Sequence, residues 1–304
     1  MEYAVTTNCL TKQFKHVKAV DSVSLHVKRG EIYGFIGRNG AGKTTCMKMI
    51  CGLSSATSGE VSLFGHSGAE NKNYYGRIGN LIENPGLYMN MTALQNVEAK
   101  CVLLGIHKKG YAKELLTFVG LGDTGKKKVK SFSLGMKQRL GIALALVGEP
   151  DMLVLDEPIN GLDPQGIVEV RETLLKLNKE KNLTIMISSH ILEELSKIAD
   201  TYGIIHEGRL ITELSREELN AKCMSYVEII TNDVKKACVI LESIGLTQIK
   251  VINQNTVCVY EHLEGTPTMN RQLITGGCEV AQIKVVMGEL EDFYLGITGG
   301  AYHA

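Results

Sequence analysis

Hydrophobic and polar positions along the chain fall into short runs with two different periods. In DSVSLHV, Val23, Leu25 and Val27 alternate with Ser24 and His26, the pattern of a half-buried edge strand. EIYGFIG is apolar on both faces, as a central strand is, and it runs through GRNGAGKTT into a helical stretch, TTCMKMICGL. Residues 84–150 read as mostly helical, with TALQNVEAKCVLLG and GYAKELLTFVG as amphipathic segments. Next come strand 152–156, helix 165–180, strand LTIMISS, helix ILEELSKIAD and a short pair, YGIIHEGRLIT. Strands alternating with helices predict a largely parallel sheet with helices packed on it.

Near residue 215 the pattern changes. After a helix in SREELNAKC come strand 226–231, helix 233–244, strand 247–252, strand 256–260, helix 266–275 and strand 278–286. This βαββαβ order is the ferredoxin-like split arrangement. Ala237, Cys238, Leu241 and Ile244 share one face of its first helix, and Gly245 stops it. A terminal helix, GELEDFYLGIT, follows. The tail holds no reactive constellation, so two domains are expected: 1–214 carries the chemistry, and 215–304 is a small α+β accessory or regulatory domain.

Composition narrows the classes. The 304 residues can bury a sizeable core. Lys plus Arg (33) balances Asp plus Glu (33), so no global field favours nucleic acid or acidic lipid. Eight cysteines lie scattered with no CxxC, which reads as reduced thiols. The start, MEYAVTTNCL, lacks a basic region followed by an apolar core. The longest apolar stretch, LGIALALVG, is far short of the roughly 18 residues of a membrane span. Work at a membrane would therefore need another polypeptide.

Gly37, Gly42, Lys43 and Thr44 fit G-x-x-x-x-G-K-[ST] after a buried strand and before a helix. Glycines let backbone N–H groups of Gly37, Arg38, Asn39, Gly40, Ala41, Gly42, Lys43, Thr44 and Thr45 wrap phosphates at the positive end of the helix dipole. Lys43 would reach the β and γ phosphates, and the Thr44 hydroxyl would bind Mg2+. Met152–Leu155 carry a carboxylate, Asp156, toward that cation, and Glu157 could sit beside the γ-phosphate as general base. Ser133 and Gly135 open a further helix in SFSLGMKQRLGIALAL. That start is an N-cap and also a second anion site. If the two anion sites cannot meet in one subunit, two copies head to tail could form composite sites.

With these motifs in hand, the chain resembles the nucleotide-binding subunit of ATP-binding cassette (ABC) transporters. GRNGAGKTT matches the Walker A and FSLGMKQR the family signature. LVLDE matches the Walker B, NGLD the D-loop and SSH the switch-histidine region, all in family order. The resemblance implies a P-loop fold of mixed sheet plus helical subdomain (84–150), ATP and Mg2+ as cofactors, and a homodimer in the ATP-bound state. It also implies a separate transmembrane permease and a place at the cytoplasmic face of the membrane. Carried over by motif, Glu157 and His190 are catalytic, Phe14 stacks on adenine, and Asp163 communicates across the dimer through a loop shaped by Asn160 and Gly161. Glu83 stands at the family's Q-loop Gln and joins Thr44 and Asp156 as a metal ligand. Leu134 and Met136 depart from the signature, and Ile159 replaces the usual Thr or Ser. IENPGLY, EPINGLDP and the tail LEDFYLGITGG resemble ATPases of drug and peptide-antibiotic exporters, of the bacitracin-resistance and lantibiotic-immunity kind. The competing reading is a soluble ABC ATPase working as a nucleotide-dependent switch.

Overall fold

The computed structural model describes residues 2–223, 225–286, 288 and 290–298. The chain divides between Arg216 and Glu217 into two compact units.

The first unit opens with β1 (Tyr3–Phe14), β2 (Val17–Val23), β3 (His26–Lys28) and β4 (Ile32–Ile36). Helix α1 (Lys43–Ile50) precedes β5 (Ser58–Leu63), β6 (His66–Ser67) and β7 (Ile78–Leu81). Three helices follow: α2 (Ala93–Leu103), α3 (Tyr111–Phe118) and α4 (Leu134–Ala145). Then come β8 (Met152–Asp156), α5 (Pro164–Lys181), β9 (Thr184–Ser189), α6 (Leu192–Ser196), β10 (Thr201–His206) and β11 (Arg209–Ser215). Two sheets result. β2, β1, β5 and β6 pair in that order, with β3 also on β1. The larger sheet runs β11-β10-β4-β9-β8-β7, parallel throughout except for the β10–β11 hairpin.

The central strands are apolar on both faces because helices or the second sheet must cover both, and every residue of β4, β8 and β9 is buried. The order places β9 between β4 and β8, so the loops leaving all three strands open on the same edge. In the helical segment, Thr92 and Gln95 form a reciprocal capping box on α2. Asp163 caps α5 and Pro164 opens it, while Asn182 ends it in the left-handed region. Helix α4 lies hard against the sheet: a Cβ on Gly79 would stand 2.0 Å from the Ala145 carbonyl oxygen. A Cβ on Gly141 would meet Pro85 at 3.0 Å.

Two sequence expectations are corrected. DSVSLHV is two strands, because the Thr7 hydroxyl donates to Val23 O and accepts from Leu25 N (both 2.9 Å), taking over the ladder at the break. The segment ILEELSKIAD is helical only over Leu192–Ser196, since the chain must extend for Asp200 to accept the Ile32 N–H at 2.9 Å. The long strand β1 and its partner β5 were not anticipated at all.

The second unit begins within α7 (Arg216–Lys222) and continues β12 (Tyr226–Thr231), α8 (Val234–Ser243), β13 (Ile249–Val251), β14 (Thr256–Val259), α9 (Thr266–Thr275), β15 (Val280–Val286) and α10 (Leu290–Thr298). Its strands form one antiparallel sheet in the order β13-β14-β12-β15. Val227, Ile229, Val257 and Val259 on one face pack with Ala237, Leu241, Met269 and Leu273 of the helices. The last two glycines of the tail motif, Gly299 and Gly300, lie outside the described residues. Among the described residues no helix is long and apolar enough to cross a membrane.

Candidate functional site

Strand β4 delivers the chain into the 37–42 loop, whose shape is set by what it touches. A Cβ on Gly37 would stand 2.6 Å from the Ile205 carbonyl oxygen, and one on Gly42 would stand 2.3 Å from that of Ala19. Gly42 is left-handed (φ 105, ψ 0), which turns the chain straight into α1. Arg38, Asn39 and Gly40 are exposed at the tip; Ala41 is buried, Thr44 and Thr45 half-buried. The Lys43 ammonium, only 5% exposed, folds back to donate to Gly37 O at 2.6 Å and Arg38 O at 3.3 Å.

Asp156 and Glu157 are adjacent in the chain yet serve different partners. Asp156 ends β8, and its two oxygens are both used: Oδ2 accepts from the Thr44 hydroxyl and Oδ1 from the Ser188 hydroxyl, each at 2.6 Å. Ser188 pairs with Asp156 across the β8–β9 ladder. The same Ser188 oxygen accepts the Glu157 N–H at 2.9 Å. Glu157 has φ 49, so the backbone turns left-handed there and its carboxylate swings toward Lys43 and His190. Its Oε2 lies 2.8 Å from His190 Nδ1. Its Oε1 lies 3.1 Å from Lys43 Nζ, an ion-pair contact off the hydrogen-bond direction, so this buried oxygen has no hydrogen-bond partner among the described residues. Buried acceptors in folded proteins are ordinarily satisfied, which marks Oε1 as a place for water or substrate.

The arrangement fits a magnesium–triphosphate. A hydroxyl and a carboxylate already meet where Thr44 and Asp156 would hold the cation, a lysine stands beside them, and the loop above is glycine-shaped. Glu83, expected as a third ligand, is elsewhere: its Oε1 is 2.5 Å from Lys48 Nζ, and it does not bond Thr44 or Asp156. Among the described residues no cluster of three or more His, Cys, Asp or Glu could hold a metal by itself. Thr44 and Asp156 are thus the pair of expected ligands in contact.

The remaining residues fall on separate surfaces. Phe14 is 52% exposed at the end of the β1–β2 hairpin, with Lys12 Nζ 5.1 Å over its ring, so it is not a core phenylalanine. Ser133 caps α4 by accepting from Met136 N at 3.2 Å, and Gly135 is buried in its first turn. Neither makes a hydrogen bond to the 37–45 loop, Asp156 or Glu157 among the described residues. Leu134 is half exposed; a Cβ on Gly161 would meet its Cδ2 at 3.4 Å. Asp163 Oδ1 accepts from Gly166 N at 3.0 Å, Asn160 is exposed, and Ile159 is buried as a core residue. Two contributors escaped sequence reasoning. Ser188 lay inside the SSH match without a role, and Lys48 could have been flagged as a cation one helical turn beyond Thr44.

Comparison with known proteins agrees with this geometry. The family profile described as ABC transporter matches residues 20–160. The chain is 43% identical to the bacitracin transport ATP-binding protein BcrA of Bacillus licheniformis over 302 residues, 99% of each chain. It is 45% identical to the lantibiotic transport ATP-binding protein SrtF of Streptococcus pyogenes over 204 residues, 67% of this chain and 87% of that one. Among solved structures, an ATP-binding subunit of an ABC transporter superposes with a TM-score of 0.63 at 29% identity, covering 72% of this chain and 92% of the other. A dimeric ATP-binding cassette in a post-hydrolysis state with ADP and Pi superposes at 0.62 and 25% identity, covering 70% and 98%. With a phosphate loop, a carboxylate pair and full-length relatives all in agreement, this chain belongs to the ATP-binding subunits of ABC transporters.

Proposed function

We propose that the chain hydrolyses ATP in a Mg2+-dependent reaction and so powers export of an antimicrobial peptide or drug of the bacitracin or lantibiotic kind through a separate membrane permease. The observation that carries the reading is the bonded set Thr44–Asp156–Ser188–Glu157–His190, closed by Lys43. The 37–45 loop binds the phosphates and Phe14 stacks on the adenine. Thr44 and Asp156 hold Mg2+, which neutralises phosphate charge when bound. Glu157, held by its backbone bond to Ser188, accepts a proton through Oε1 from the attacking water. The water oxygen bonds to the γ-phosphorus as the bond from that phosphorus to the bridging oxygen kept by ADP breaks, and inorganic phosphate leaves. His190 orients Glu157 through Oε2.

Ser133 and Gly135 make no bond to their own chain's phosphate loop, which supports a head-to-tail homodimer in which each caps the nucleotide held by the other. Asp163 lies at the same junction. The loop 83–88 and the exposed side chains Tyr88, Leu103 and Leu104 beside it are the docking face for the permease, and a subunit docked in this way works at the cytoplasmic face of the membrane. Residues 1–214 form the ATP-binding domain. Residues 215–304, with the strand order of a ferredoxin-like split, form an accessory or regulatory domain. Kinship with transport ATPases favours this reading over a soluble switch.

The test is Glu157→Gln. It should retain ATP, accumulate as an ATP-dependent dimer in size-exclusion chromatography, and lose about 10²–10⁴-fold in hydrolysis. Turnover near that of the parent chain would remove Glu157 from its role.

A further inference from the structure

The Glu83 carboxylate is parked on Lys48, 2.5 Å from Nζ, one turn of α1 beyond Thr44. Residues four apart share a helix face, about 6 Å apart along the axis. Thr44 and Lys48 therefore share a face of α1, and Glu83 is bound at the Lys48 end of it. Its backbone is left-handed (φ 65), a conformation a glutamate keeps only where its surroundings hold it. Two groups hold it: Lys48 through charge, and Pro85 through its packing on Gly141 of α4.

We propose that Lys48 is a positioning residue that withholds Glu83 from the cation site until movement of the 83–88 loop releases it. This rests on the ATPase reading above and adds a control to the same site. One carboxylate has two competing cations within a helical turn, the ammonium of Lys48 and the divalent ion held at Thr44 and Asp156. Because the pair is partly exposed (34% and 63%), the exchange is a light bias rather than a lock. A shift of α4 reaches Glu83 through Gly141 and Pro85, so the bias can respond to whatever moves that helix.

The experiment titrates Mg2+ while a fluorescent ATP analogue binds the full-length chain, without reference to turnover. Lys48→Gln should lower the Mg2+ midpoint by roughly two- to fivefold, the ratio a pair of this exposure supports. Lys48→Arg should restore the parent midpoint. In a Glu83→Gln background the effect of Lys48→Gln should vanish, since the two substitutions remove the same contact. An unchanged midpoint in Lys48→Gln, or an equal shift with and without Glu83, overturns the proposal while leaving the ATPase reading intact. Failure of the parent chain to retain the nucleotide at any Mg2+ concentration overturns both.

Discussion

Two glycines of one loop should respond very differently to the same substitution. At Gly42 the backbone is left-handed (φ 105) and an added methyl would stand 2.3 Å from the Ala19 carbonyl oxygen. The conformation costs an L-residue about 1–2 kcal/mol. Withdrawing a strand carbonyl by about 1 Å in a packed interior adds about 1–3 kcal/mol. Gly40 is also left-handed (φ 83), but a methyl there meets nothing within 4 Å, so only the conformational cost applies. Calorimetric melting of the larger unit should therefore fall by roughly 4–20 °C for Gly42→Ala and roughly 2–8 °C for Gly40→Ala, at about 2–4 °C per kcal/mol for a domain of this size. Binding of a fluorescent ATP analogue, measured beside the melts, should be lost at Gly42→Ala and weakened at Gly40→Ala. Equal melting shifts for the two variants would refute the reasoning, because the contact with β2 would then carry no energy.

Two further predictions concern buried groups. Ser188→Ala strands the Glu157 N–H and one oxygen of Asp156, at about 1–3 kcal/mol for each unsatisfied group, so urea midpoints should drop and hydrolysis with them; stability within about 0.5 kcal/mol of the parent would contradict the bonding described. Burial pushes the thiols of Cys46 and Cys51 up to about 12. At pH 8 about one in 10⁴ of each is then thiolate, so a disulfide reagent should modify exposed Cys9 promptly and those two only as the chain unfolds. Fast labelling of Cys46 in the folded chain at pH 8 would rule this out.

What the sequence made legible was the chemistry attached to a strand end. Lys43, Thr44, Asp156 and Glu157 sit within a few residues of fully apolar strands, so local pattern alone located them. Ser188 was opaque because its role comes from parallel pairing: only the register of β8 with β9 sets it opposite Asp156. Strand β1 was missed because its burial does not alternate, being interrupted by a left-handed Cys9 (φ 47) and register shifts against β2 and β5. Glu83 stands out in the sequence, yet its partner lies 35 positions away on a helix read only for its phosphate end.

The backbone approach between Gly79 and Ala145 has a mechanical consequence. Helix α4 is fixed to the sheet at that end; at the other end Ser133 is exposed, and the first turns pack on α5 through Gly135 and Arg139. It is a lever about 18 Å long with its fulcrum on the sheet, so a rotation of about 10° sweeps the serine tip through roughly 3 Å. In the proposed dimer that stroke, the span of a single hydrogen bond, would let the serine engage or abandon a phosphate oxygen while the pivot barely stirs.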